Sequence, residues 1–199
     1  MGKRICVFCA SSNRIAPKYV EAAARFARLA VMEGYTLVCG GSWRGLMGTL
    51  TKATLACGGE IEGVIPQFMC DFGWNQQEMT RLTVVDSMQE RKRILREDVD
   101  AVVAFPGAIG TLDELLETIS LKLLGQFNKP IIIFNQDDFY RSLFQFFEEM
   151  VDAKMMEQTS FHAWRVVERV EDIAPAIVSE SALYNGSHAH SDYIKYGNR

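Results

Sequence analysis

Apolar residues in this chain gather into short continuous runs, and the stretches between them carry a helical period. Ile5 to Ala10, Tyr35 to Cys39, Ile61 to Ile65, Leu82 to Val85, Val99 to Phe105 and Pro130 to Phe134 read as buried strands, with Trp164 to Val167 as a short last one. Between the first two runs, Tyr19, Val20, Ala23, Phe26, Ala27, Ala30 and Val31 recur at helical spacing. Pro17 suits the first turn of that helix and Gly34 its stop. A second helix ends at Gly58-Gly59. Ser87-Met88-Gln89-Glu90 has the spacing of a capping box and opens a third. A fourth is expected from Leu112 to Gly125. A fifth has Phe139, Leu143, Phe146, Phe147 and Met150 as its apolar, core-facing side, and a last helix runs from Glu171 to Leu183.

Strands alternating with helices through short connections imply an α/β fold. The expected architecture is Rossmann-like and doubly wound, with a mainly parallel sheet of about six to seven strands flanked by helices. Residues 1–184 read as a single nucleotide-binding domain of this kind and 185–199 as a polar, disordered tail. Gln67 to Thr80 breaks the rhythm, because Phe68, Met69, Phe72 and Trp74 sit among polar residues without a period. Two readings stand for it: a mobile flap over a planar ligand, or a surface loop whose aromatics tuck into the core.

Two glycine turns follow strands and open helices, Gly40 to Gly48 and Pro106 to Glu114. Free backbone N–H groups and the positive end of a helix dipole make such a turn an anion cradle. Neither turn has the G-x-G-x-x-G dinucleotide spacing after the first strand, nor the G-x-x-x-x-G-K-[ST] of a nucleoside triphosphate site, which points to a smaller ligand with one phosphate. Arg91, Lys92 and Arg93 lie in the first turns of the third helix, where cations oppose the dipole. They imply a nearby anion, or else a solvated basic face pairing with Glu97 and Asp98. Thr111-x-x-Glu114 is likewise open: a capping box, or a carboxylate one turn above a phosphate cradle.

Composition narrows the partners. A formal net charge of −4 offers no basic field for a nucleic-acid backbone. No apolar window is long enough to span a bilayer, and the N-terminus lacks the apolar core of a signal peptide, so a cytoplasmic protein without membrane partner is expected. Five cysteines at irregular spacing argue against a disulfide framework. Cys6 and Cys9 have the spacing of a zinc or redox pair, but positions three apart in a strand face opposite ways, so they read as buried reduced thiols. With only His162, His188 and His190 as histidines, no metal site is expected.

Met88-Gln89-Glu90-Arg91-Lys92, followed by Pro106-Gly107-Ala108-Ile109-Gly110-Thr111-Leu112-Asp113-Glu114, resembles the paired signature of the LONELY GUY family, M-x-x-R-K then P-G-G-x-G-T-x-x-E. Phe8-Cys9-Ala10-Ser11-Ser12, Gly40-Gly41 and Gly45-Leu46-Met47-Gly48 extend the resemblance over roughly residues 5 to 150. Members of that family are cytokinin riboside 5′-monophosphate phosphoribohydrolases, which release a free base and ribose 5-phosphate. The resemblance implies Arg91 and Glu114 as catalytic residues. It implies Gly107, Ala108, Ile109, Gly110 and Thr111 as the phosphate-binding turn, with Met88, Lys92, Ser12, Gly41 and Gly45 as further substrate-binding positions. It also implies no cofactor or metal, a nucleoside monophosphate as small-molecule partner, and a homodimer or higher homo-oligomer.

Three positions depart from the family pattern by losing a glycine: Ala10, Ser42 and Ala108. If Ala108 needs a positive φ, its side chain costs about 1 kcal/mol or more. These losses motivate an alternative function, a non-catalytic nucleotide or pterin-cofactor carrier on the same fold. Family members often bear a lysine decarboxylase label. Pyridoxal phosphate chemistry would require a Schiff-base lysine with an acidic partner for the ring nitrogen, and Lys52, Lys92 and Lys122 fall in predicted helices without such a setting.

Overall fold

A computed structural model of the chain describes residues 3–186. Its strands are β1 (Lys3–Phe8), β2 (Tyr35–Cys39), β3 (Ile61–Pro66), β4 (Arg81–Val85), β5 (Ala101–Ala104), β6 (Ile131–Phe134) and β7 (Arg165–Val167). They form one seven-stranded sheet in the order β4-β3-β2-β1-β5-β6-β7, with every neighbouring pair parallel. Strand order reverses at β1, which pairs with β2 on one side and β5 on the other. Loops leaving β1 and β5 therefore part in opposite directions and open a crevice at the carboxyl ends of the strands.

Strand periodicity sorts the core into two layers. Ile5 and Val7 face one buried cluster while Cys6 and Phe8 face the other. Helices α1 (Pro17–Met32), α2 (Gly45–Ala56) and α7 (Ile173–Gly186) cover the first face through Phe26, Leu50 and Ile177. Helices α4 (Met88–Arg96), α5 (Ile109–Leu123) and α6 (Arg141–Asp152) cover the second through Leu95, Leu115 and Phe147. Cys6 and Cys9 belong to opposite layers, Cys9 packing against the first cluster, so they do not converge.

Four expectations change. The stretch 67–80 contains a short helix, α3 (Gln67–Asp71), and is pinned rather than loose: Trp43 N–H donates to the Trp74 carbonyl (3.1 Å), Gln76 N–H to Gly41 (2.9 Å) and the Trp43 indole to Gly73 (2.9 Å). Its Phe68 and Phe72 remain exposed, so the aromatics do not all tuck into the core. Phe139, which precedes α6, and Phe146 on it are exposed, whereas Leu143, Phe144, Phe147 and Met150 meet the second cluster. The buried stripe thus includes Phe144, one position beyond Leu143, in place of the two flanking phenylalanines. Helix α5 starts at Ile109, three residues before the expected Leu112. Finally, α7 runs to Gly186, and the rest of the expected tail lies outside the described residues.

Candidate functional site

The cap of α4 is built as its sequence suggests. Glu90 N–H donates to Ser87 Oγ (3.1 Å), and the Glu90 carboxylate accepts from Asp86 N–H (3.3 Å). This start sets Arg91 on the inner face of the helix, where it is buried. Its Nε donates to the Val64 carbonyl at the end of β3 (3.1 Å), and its Nη1 meets Glu114 Oε1 of α5 at 2.5 Å. Gly40 makes room for it, since a Cβ there would lie 2.2 Å from Arg91 Nη2. The neighbouring cations take surface partners: Lys92 pairs with Asp113 (3.0 Å) and Glu117 (3.4 Å), and Arg93 with Glu97 (2.9 Å). The two readings of the basic run therefore divide by residue. Arg93 follows the surface-pairing one with Glu97, whereas Lys92 is largely buried and pairs across to α5 rather than with Glu97 or Asp98.

Helix α5 begins without a side-chain cap, its N-cap being Ala108. The first intrahelical bond runs from Leu112 N–H to the Ala108 carbonyl (3.0 Å), which leaves the N–H groups of Ile109, Gly110 and Thr111 ahead of the ladder. Thr111 and Glu114 lie inside the first turns, so they do not form the capping box that their spacing allows. Thr111 is buried against Gly107, where a Cβ would come within 2.1 Å of Thr111 Oγ1. Nothing lies within 4 Å of the direction a side chain would take from Gly110, so the cradle is open there. Ala108 has φ −96° and ψ −158°, an extended conformation that costs alanine nothing. Ala10 and Ser42 are likewise absent from the residues with positive φ. The three lost glycines therefore carry no backbone strain.

Two adjoining hollows occupy the crevice. The first, about 250 Å³, is lined by Met88, Arg91, Ala108, Gly110, Thr111 and Glu114, together with Ser11, Gly40, Ser42, Arg44, Met69 and Trp74. The second, about 500 Å³, lies toward the β1 loop and takes in Ser12, Asn13, Arg14, Tyr19, Gly107 and Phe139. Ser11, Arg44 and Ala108 stand on both. Of the residues expected at the site, Gly41, Gly45, Ile109 and Lys92 line neither hollow. Gly45 instead shapes the turn: its φ is +56°, and a Cβ would press to 2.4 Å on the Ala10 carbonyl. Gly40, Arg44 and Trp74 on the first hollow were not among the expected site residues. The signal for Arg44 was present, a cation in a glycine turn at a helix start; the approach of Trp74 is a long-range event with no local mark.

Electrostatics single out Glu114. Burial raises its pKa from the ordinary value, and the charge and hydrogen bond of Arg91 pull it partly back. Cys9, also on the first hollow, has its thiol held well above the usual range by burial, which makes it a poor nucleophile. No lysine lines either hollow. Lys122, lowered to about 8 by burial, donates to the Lys129 carbonyl (2.8 Å) away from both. Among the described residues no three His, Cys, Asp or Glu side chains gather as metal ligands, and no helix is long and apolar enough to cross a membrane.

A doubly wound parallel sheet with free helix N–H groups and a buried Arg–Glu pair at its switch point defines a Rossmann-like protein. A family model described as possible lysine decarboxylase matches residues 47–177. The cytokinin riboside 5′-monophosphate phosphoribohydrolase LOG5 of Arabidopsis thaliana is 32% identical over 189 residues, 95% of this chain and 83% of that protein. The probable phosphoribohydrolase LOG6 of the same plant is 38% identical over 165 residues, 80% of each chain. The chain belongs to this family, the LONELY GUY family. Among solved structures, the molybdenum cofactor carrier protein of Chlamydomonas reinhardtii superposes with a TM-score of 0.69 at 18% identity, covering 92% of this chain and 99% of that one. The molybdenum cofactor binding protein of Rippkaea orientalis gives 0.67 at 22% identity, covering 90% and 97%. These two likenesses establish the shared fold.

Proposed function

We propose that the protein hydrolyses the N-glycosidic bond of a nucleoside 5′-monophosphate, of the cytokinin riboside 5′-monophosphate or AMP type, to free base and ribose 5-phosphate. The observation that carries this reading is the Arg91–Glu114 pair, buried yet facing the hollow, one turn above the free N–H groups of α5. The 5′-phosphate sits on that turn, against Gly107 to Thr111, with Ser12 and Met88 around the ligand, Lys92 set back in its pairs with Asp113 and Glu117, and Gly41 and Gly45 shaping the opposite turn. This places the sugar beneath Glu114. As the C1′–N bond breaks, the base leaves with the electron pair and takes up a proton. The Glu114 carboxylate stabilises the oxocarbenium-like sugar and orients the water whose oxygen joins C1′. Arg91 keeps that carboxylate ionised and fixed.

The names of the Arabidopsis relatives support this reading, as does the absence of strain at Ala10, Ser42 and Ala108, which removes the main motive for a carrier without turnover. The reaction as written draws on no metal or redox cofactor. The setting we infer is a homo-oligomer, at least a dimer, in the cytoplasm. Ile109, Leu116 and Leu124 on one exposed side of α5, and five free cysteines, are in keeping with it.

The test is a product assay with AMP and N6-isopentenyl-AMP, separating free base and ribose 5-phosphate by chromatography. Wild type is expected to release both products, and Glu114→Gln and Arg91→Ala to lose about 10³-fold in rate. If the wild-type protein frees no base from any nucleoside monophosphate, the reading is wrong.

A further inference from the structure

We propose that Arg44 is a specificity-determining residue that selects phosphate-bearing ligands at this site, an inference that rests on the glycosidase reading of the same crevice. Arg44 is the N-cap residue of α2, a position where the helix dipole disfavours a cation. Its own side chain makes no cap bond, and its Nε is buried without a hydrogen-bond partner. No acid pairs with its guanidinium among the described residues. Instead the group lies over the Trp74 ring, 4.8 Å from the centroid. A buried arginine nitrogen without an acceptor is costly, and an anionic ligand is the partner that would satisfy it.

The turn that carries Arg44 is fixed by its backbone. Arg44 N–H donates to Ser42 Oγ (3.2 Å), Gly45 N–H to Asn13 Oδ1 (2.8 Å), Leu46 N–H to the Ala10 carbonyl (2.9 Å) and Trp43 N–H to Trp74 (3.1 Å). The turn is therefore tied to the β1 loop on one side and to the Trp74 segment on the other. From there Arg44 shares both hollows with Ala108, the residue that opens the phosphate cradle of α5. The larger hollow carries Arg14 and Arg44 and no carboxylate, and the single carboxylate of the smaller one is already bound to Arg91. An anion on the free N–H groups of α5 thus has Arg44, on both hollows, as a cation without an acid partner, Arg14 being a second on the larger hollow alone. The α5 N–H groups and Arg44 meet it from opposite glycine turns.

Isothermal titration calorimetry with AMP, ribose 5-phosphate and adenosine tests this in the Glu114→Gln background, so that AMP is not consumed, with Arg44 kept or changed by Arg44→Met or Arg44→Lys and each protein's thermal transition measured alongside. Arg44→Met is expected to weaken AMP and ribose 5-phosphate by about 30- to 100-fold and adenosine by less than about 3-fold, with Arg44→Lys in between because it keeps the charge but not the planar stack on Trp74. Equal weakening of adenosine and AMP in Arg44→Met, unchanged AMP binding, or no binding of either phosphate-bearing probe to the Glu114→Gln protein with Arg44 kept overturns the inference. Product release, measured separately with Glu114 in place, keeps the two readings apart. AMP binding that depends on Arg44 but yields no adenine leaves the inference standing and removes the glycosidase. Turnover with the AMP-to-adenosine preference intact in Arg44→Met does the reverse.

Discussion

Glu114 holds a carboxylate where burial resists it, and the consequence at the scale of the residue is a displaced pH profile. Its pKa lies above the ordinary glutamate value of 4.5, burial being the larger cause and Arg91 the opposing one. If ionised Glu114 is the working form, kcat falls on the acid side as pH drops through that raised value. The acid limb should then sit above pH 4.5, and removing the opposing charge in Arg91→Ala should move it higher. Stability responds with the opposite sense. A carboxyl whose folded pKa is raised contributes stability below its unfolded value and loses it as pH rises through the folded one. The melting temperature of wild type relative to Glu114→Gln should accordingly fall as pH climbs through that window. An acid limb at or below 4.5, or a difference in melting temperature independent of pH, would sink the assignment. Glu114 was legible in the sequence as a residue with two open roles. The helix start at Ile109 removes the capping one, because it puts Thr111 and Glu114 too far inside α5 to cap it.

At the scale of elements, the site depends on how α4 docks against β3 and β4. Arg91 reaches from α4 past the Val64 carbonyl to α5, and it fits only because the residue after β2 is Gly40. A methyl at Gly40 would also approach Met47 Sδ to 2.9 Å, so the added group is hemmed in from two sides. Gly40→Ala should therefore displace the guanidinium, leave Glu114 buried with a weakened partner, and cost about 1–3 kcal/mol of stability. Activity should drop by about 10²-fold, with the acid limb of kcat moving up; a variant with wild-type kcat and an unmoved profile would show that the close fit is irrelevant. Element identity was readable in the sequence because it is local: strands by continuous apolar runs, α1 by Pro17 and its period, α4 by Ser87 and Glu90. The clamp joining Trp43 and Gly41 to residues 73–76 was not, because backbone bonds between segments about thirty positions apart leave no periodic trace.

At the scale of the whole molecule, the crevice lies where strand order reverses, so a ligand there touches both halves of the sheet. It meets the loops after β1 and β2 on one side, the turn after β5 on the other, and helices from both layers. A parallel sheet with helices on both faces could be inferred from the alternation of elements, and with it the strand ends at which the crevice opens. The order of strands within the sheet could not, since pairing of β1 with β5 is a choice among topologies. Bridging the two halves makes bound ligand a global stabiliser. At a hundredfold excess over its dissociation constant, a ligand specific for the folded state adds about 2.7 kcal/mol, which in a chain of this size raises the melting temperature by about 5–10 °C. Measured on Glu114→Gln, so that turnover does not consume it, AMP should produce that rise and ribose 5-phosphate most of it. Adenosine at the same concentration, lacking the group that the α5 turn and Arg44 receive, should produce little. Equal shifts with AMP and adenosine would mean that the base, not the phosphate, anchors the ligand across the sheet, and the cradle at Pro106 to Thr111 would lose its assigned role.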